Sequence, residues 1–283
     1  MLMLLHPVAQ VGAGLSIHAS TVVGSLALGA LYEWRARQAA ASAADGAHPG
    51  SPTTAQRAMF FGALAILLAT LNGPLHDLSD TYLFSAHMVQ HLVLELVVPP
   101  LLIAGTPGWM LRPLIRGSRV RRLAEVALTP ISCFALFNVV LCAWHLPPLY
   151  NLALAEHPVH IVQHLMFLSA SVVMWWPLLS PLPELPRLSY PGQMLYCFLM
   201  TLPMSVVAVY ITMADRVLYP LYAIAPRVAG ISPLEDQRYG GLVMWIPGGM
   251  FFYIVMSVVF WQWSHRGGDD RAAAQAPVGV GAV

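Results

Sequence analysis

The sequence predicts an all-α polytopic membrane protein of seven transmembrane helices, N-terminus outside and C-terminus cytoplasmic, carrying two repeated His-bearing helical hairpins. Three observations predict it. Of 283 residues, 58% are hydrophobic and 10% charged, whereas an ordinary soluble domain carries about 25% charged residues. The apolar residues fall into blocks of about twenty, long enough at 1.5 Å rise per residue to cross a hydrocarbon core about 30 Å thick. The basic residues, finally, alternate from loop to loop as topology requires.

The expected spans lie near 12–33, 58–76, 83–105, 123–146, 159–180, 190–213 and 241–263, separated by polar, Pro-rich or Gly-rich breaks. The N-terminal MLMLLHPVAQ has neither a basic region before its apolar residues nor a small-residue cleavage site, so it does not read as a secretory signal. Residues 35–56 are small, polar and low in complexity and read as a flexible loop. Residues 1–266 form a single membrane domain, and 267–283 read as a disordered cytoplasmic tail.

All 14 basic side chains are Arg. Arg35, Arg37 and Arg57 flank the first loop, Arg112, Arg116, Arg119, Arg121 and Arg122 crowd the third, Arg187 sits in the fifth, and Arg266 and Arg271 lie in the tail. The second and fourth loops have none, and in the sixth Arg216, Arg227 and Arg238 are balanced by Asp215, Glu235 and Asp236. Short cytoplasmic loops collect positive charge, which places the odd-numbered loops inside. The net charge of +1 gives no bias toward nucleic acid. The three cysteines, Cys133, Cys142 and Cys197, all sit in apolar stretches and form no disulfide framework.

With the helices oriented, the histidines segregate. His48 and His265 fall on the cytoplasmic side, whereas His6, His18, His76, His87, His91, His145, His157, His160 and His164 fall in the outer half or just beyond it. Interfacial His is common, but ionisable residues inside spans are rare and mark ion, proton or cofactor sites. His87 and His91 are four apart and share one helix face, as do His160 and His164. The surrounding sequences match too, HMVQHL against HIVQHL, and His76 and His145 end the preceding spans. Hairpins 58–105 and 123–180 thus read as two copies of one metal-binding unit, making two sites or one shared site.

An i,i+4 His pair chelates a transition metal, and a third imidazole completes a three-coordinate site. Gln90 and Gln163 either orient these ligands or pack between helices. Met88, Met166, Met213 and Met244 lie near outer span ends, and Cys142 sits one turn before His145. Soft sulfur with imidazole favours copper over magnesium or calcium, although Met also fills gaps in apolar packing. Glu95 follows His91 by four near mid-membrane, where a bare carboxylate is costly, while the second copy has Leu168 there. Asp77, Asp80 and Asp215 at outer ends could attract cations, and Asp80 reads equally as a solvated interfacial acid. Pro99-Pro100, Pro203 and Pro247-Gly248-Gly249 are expected to break spans three, six and seven. No P-loop, nucleophile elbow or HExxH motif is present, so no enzyme is expected.

HMVQHLVLELVVPPLLIAGTP, WHLPPLYNLALAEHPVHIVQHLMFLSA and GGLVMWIPGGMFFY resemble the CtaG family of integral-membrane assembly factors for caa3-type cytochrome c oxidase, over roughly residues 56–263. The resemblance implies a seven-span bacterial inner-membrane protein needed to form active oxidase, with a proposed role in copper delivery or insertion. It implies His76, His87, His91, His145, His160 and His164 as the functional positions, with Asp77 and Asp215 as lesser candidates. The implied partners are the oxidase subunit carrying the haem-copper centre, the lipid bilayer and a periplasmic copper donor. A haem-binding redox protein using the same His as axial ligands is the alternative, since His87 opposite His160 would suit one haem. A copper transporter ranks third, with only Met194, Cys197 and Met200 to continue a path inward, and too few carboxylates lie at this depth for a di-iron enzyme.

Overall fold

The computed structural model describes residues 17–44, 50–228 and 230–275, with the side chains of 43–44 and 266–275 outside that description. Every regular element among them is a helix. The first, α1 (Ala19–Ala44), overruns the loop expected from residue 35. Ala and Arg are strong helix formers, and Ala36 and Ala39 continue the face that Tyr32 buries. Residues 12–16 of the first expected span lie outside the described residues, as do 45–49 of the expected loop.

α2 (Thr54–Thr70) begins on a capping box: Thr53 Oγ1 accepts from the Gln56 N–H at 3.1 Å and Gln56 Oε1 from the Thr53 N–H at 2.9 Å. It ends before Gly73, whose φ of 75° turns the chain, and Pro74 opens α3 (Pro74–Asp77). A π-helical turn, Leu78–Tyr82, follows, and this distal piece is bent 44° from α2. Hence the expected span 58–76 is broken near its end.

α4 (Phe84–Leu92), a second π turn (Val93–Val97) and α5 (Val98–Gly105) form one run, close to the expected 83–105. Pro99 has no N–H to offer Glu95, and the freed Glu95 carbonyl instead accepts from Trp175 Nε1 at 2.9 Å. The expected break at Pro99-Pro100 is therefore a helical bulge. After α6 (Gly108–Leu111), the Arg-bearing α7 (Ser118–Ala127) has no buried residue and lies at 69° to α8 (Pro130–His145). Thr129 caps α8 and Pro130 starts it, so the expected span 123–146 is straight only from Pro130.

α9 (Pro147–Ala155) leads to α10 (His157–Leu179), α11 (Tyr190–Thr212), α12 (Pro220–Ile224) and α13 (Pro233–Gln275). Pro203 and Pro247 lie inside α11 and α13 without ending either. The backbone is helical to Gln275, and residues 276–283 of the expected tail lie outside the described residues. Among the described residues four helices are long and apolar enough to cross a membrane, or six if each bent pair counts as one span. α13 packs along α11 and against α4, while α10 packs between α8 and α5. This packing gathers α3, the start of α4, the end of α8 and the start of α10 at one end of the bundle.

Candidate metal centre

The position of the first His pair is set from a distant part of the chain. Asp236, wholly buried on α13, accepts from the backbone N–H groups of Phe84 at 2.7 Å and Ser85 at 3.2 Å, and from Ser85 Oγ. It thereby satisfies donors that the first turn of α4 leaves unpaired. His87 and His91 then lie on successive turns facing the bundle interior, 0% and 4% exposed. Their Nε2 atoms are 2.7 Å apart. On α10 the Nε2 atoms of His160 and His164 are 3.2 Å apart. Two imidazoles holding one ion at about 2.0–2.1 Å in tetrahedral geometry have nitrogens roughly 3.3 Å apart, so the His160–His164 pair is close to chelating geometry, whereas His87 and His91 are hydrogen-bonded to each other and must open slightly to chelate.

The two copies of the repeat converge on one cluster. Ring centroids lie 5.8 Å apart for His87–His160, 5.5 Å for His91–His164 and 6.3 Å for His76–His160. His145 joins it from α8, 6.5 Å from His91. All six predicted His are therefore brought together, five of them buried and His164 partly exposed.

Asp80 ties the copies to each other. Its Oδ2 lies 3.2 Å from His76 Nε2 and 3.4 Å from His160 Nδ1, and ligand atoms of Asp80, His87 and His160 lie within 4.8 Å of one another. The Asp80 side chain is 10% exposed, so it is a largely enclosed carboxyl group between the two copies rather than a solvated interfacial acid. The i,i+4 spacing from His76, the same as that from His91 to Glu95, is the sequence signal that identifies it.

Hydrogen bonds orient several rings. Gln90 Nε2 donates to Thr70 O at 2.9 Å and to His76 Nδ1 at 3.0 Å, which turns the His76 Nε2–H toward Asp80. Ser79 Oγ in turn donates to Gln90 Oε1 at 3.0 Å. His91 Nδ1 lies 3.1 Å from Glu95 Oε1, leaving Nε2 to face His87. His145 Nδ1 donates to Leu141 O at 2.7 Å, leaving its Nε2 lone pair free to coordinate. Such outer partners set which nitrogen can hold a metal.

The repeat is symmetric in its His and asymmetric around them. Gln90 orients a ring, but Gln163 Oε1 is buried without a hydrogen-bond partner. The first copy supplies both carboxylates, Asp80 and Glu95. The other sequence candidates divide differently. Met244 and Met88 pack in the apolar core, Cys142 is exposed, and Met213 and Asp215 line a separate hollow with Arg216 that contains none of the His. Asp77 lies beside the cluster on α3, partly exposed.

Aromatic hydroxyls absent from the sequence expectation close the floor of the cluster. The Tyr150 ring is 5.2 Å from His87, the Tyr150 and Tyr222 hydroxyls are 3.3 Å apart, and Tyr222 donates to Ser79 O at 2.7 Å. Tyr219 donates to the His145 carbonyl at 2.9 Å. Burial pushes the Tyr150 and Tyr222 phenols well above their ordinary range, so both remain neutral donors.

The family model for the cytochrome c oxidase caa3 assembly factor matches residues 30–266. Uncharacterized proteins of Mycobacterium bovis and Mycobacterium tuberculosis are each 24% identical over 209 residues, which is 68% of this chain. The chain spans only 31% of the length of these curated relatives. No solved structure matches.

Proposed function

The chain belongs to the family of cytochrome c oxidase caa3 assembly factors, and from that premise we propose that it binds copper in the His cluster and assists its insertion into the oxidase. The observation that carries this is the convergence of both i,i+4 His pairs on Asp80, with nitrogen pairs 2.7 and 3.2 Å apart. Imidazole with few carboxylates suits copper or zinc better than magnesium or calcium. Copper here is cargo. His76, His87, His91, His145, His160 and His164 hold it, His76 through Nδ1 once the Gln90 amide releases that nitrogen, while Glu95, Gln90 and Asp80 orient rings.

In this proposal the chain crosses the bacterial inner membrane seven times with its N-terminus outside, so the cluster sits in the outer half. Haem-copper oxidases hold their active-site copper with His at similar depth. The ion could then pass sideways to the oxidase subunit carrying that centre without crossing hydrocarbon, after loading from a periplasmic donor. Haem is less well supported. A macrocycle between His87 and His160 would have to displace His91, His164 and Tyr150, whose rings crowd that space at 4.4–6.3 Å from His87.

The test is metal analysis with an optical spectrum of the purified protein, beside the His87→Ala/His91→Ala variant. Bound copper without a Soret band, lost in the variant, supports the proposal, together with a client oxidase that retains haem but lacks copper. A Soret band, or normal copper in the oxidase assembled with the variant, overturns it.

A further inference from the structure

Two histidines outside the repeat, His18 and His157, stand at the edge of the cluster. His18 precedes α1 and His157 begins α10, and their rings stack 5.8 Å apart. They share a cavity of about 300 Å³ between α1, α2 and α10 with His76, Asp80, His160 and His164. Along α1 its wall is made mostly of small side chains, Ser20, Thr21, Gly24 and Ser25, followed by Leu28, and elsewhere of Leu and Ile. Asn72, at the end of α2, positions this rim: its Oδ1 accepts from the His18 backbone N–H at 2.7 Å.

Burial rises steadily along the series. His157 is exposed and His18 partly buried, whereas His76 is 6%, His160 3% and His87 0% exposed. Each step is short: His18–His76 is 4.3 Å, His76–His160 6.3 Å and His160–His87 5.8 Å between centroids. A metal–nitrogen bond of about 2.0–2.1 Å puts the centroids of two rings on one ion at most roughly 6.5 Å apart. Neighbours in the series are thus close enough to share one ion after their rings turn toward it, so it can move inward by ligand exchange without ever losing all its ligands. For an ion entering a low-dielectric interior that matters, because an unliganded charge there is costly.

We infer that His18 and His157 form an acquisition site for monovalent copper at the mouth of the α1 cavity, which passes the ion through His76, whose Nδ1 exchanges the Gln90 amide for the ion, to the buried pairs. This rests on the copper proposal above. The site governs how fast the cluster loads, not how much it holds. No electron moves in the transfer: one Cu–N bond forms as another breaks.

The experiment uses the full-length protein in detergent, stripped of metal, with copper(I) supplied from a chromogenic chelator. Final stoichiometry and loading rate are read on the same trace. In His18→Gln/His157→Gln the final stoichiometry is expected to equal that of the unaltered chain, while loading slows at least tenfold. His18→Cys/His157→Cys, which restores soft ligands at the rim, is expected to recover most of the rate. Unchanged loading in the Gln variant overturns the inference alone, as does a lower final stoichiometry, which would make the two His part of the storage site. If the unaltered chain takes up no copper, the copper proposal fails and this inference with it.

Discussion

The Asp80 carboxyl group lies 3.4 Å from His160 Nδ1, so an acid from the first copy of the repeat meets a His of the second. The same oxygen also faces His76 at 3.2 Å. One carboxyl group thus faces imidazoles from both hairpins.

Asp80→Asn keeps the shape and replaces one carboxyl oxygen with an amide nitrogen. We predict a fall in copper affinity of about 10–100-fold, the usual cost of losing a partner of a metal-binding His, with unchanged helical content. Chelator competition on the purified protein measures it, and an affinity equal to the unaltered chain would show that Asp80 does not contribute.

Glu95 fixes the orientation of His91 through Nδ1 at 3.1 Å. Glu95→Gln weakens that contact without emptying the space, so it should reduce copper affinity by about tenfold or more. Leu168→Ala, at the matching place in the second copy, should leave affinity unchanged, because Leu168 offers no polar atom. Equal effects of the two changes would count against the asymmetric centre.

Asp236→Ala removes the acceptor for the first donors of α4. Leaving buried N–H groups unpaired costs about 1–3 kcal/mol, so the thermal midpoint in detergent should fall. Copper affinity should fall with it, since α4 carries His87 and His91. A midpoint unchanged by this substitution would show that the cap is dispensable.

Gly105 lies where α5 crosses α2. A Cβ there would meet Phe60 N at 2.5 Å and Gln56 O at 2.9 Å, both backbone atoms that cannot swing aside. Gly105→Ala is expected to destabilise the protein by about 1–3 kcal/mol while leaving copper stoichiometry intact, as read by thermal unfolding and metal analysis.

Cys142 is exposed on α8. Cys142→Ser is accordingly expected to bind copper like the unaltered chain, and a loss of stoichiometry would reinstate a thiolate ligand.

The sequence by itself determined the helical membrane class, the duplicated HxVQH boxes and the six His that gather at one end, because hydropathy and i,i+4 spacing are local and regular. It also placed Glu95 correctly on the His91 face, by the same rule. What only the tertiary structure decided is how distant segments meet. Asp236 caps α4 across 152 residues of sequence, and Trp175 takes up the carbonyl that Pro99 leaves free. Asp80 becomes a bridge because Pro74–Tyr82, bent 44° from α2 at Gly73, brings its carboxyl group to His160 on α10. These are contacts between surfaces rather than periodicities, so no spacing in the chain announces them. That the two His boxes lie in one cluster was likewise decided by packing: the helices cross close enough for one carboxyl group to face imidazoles from both.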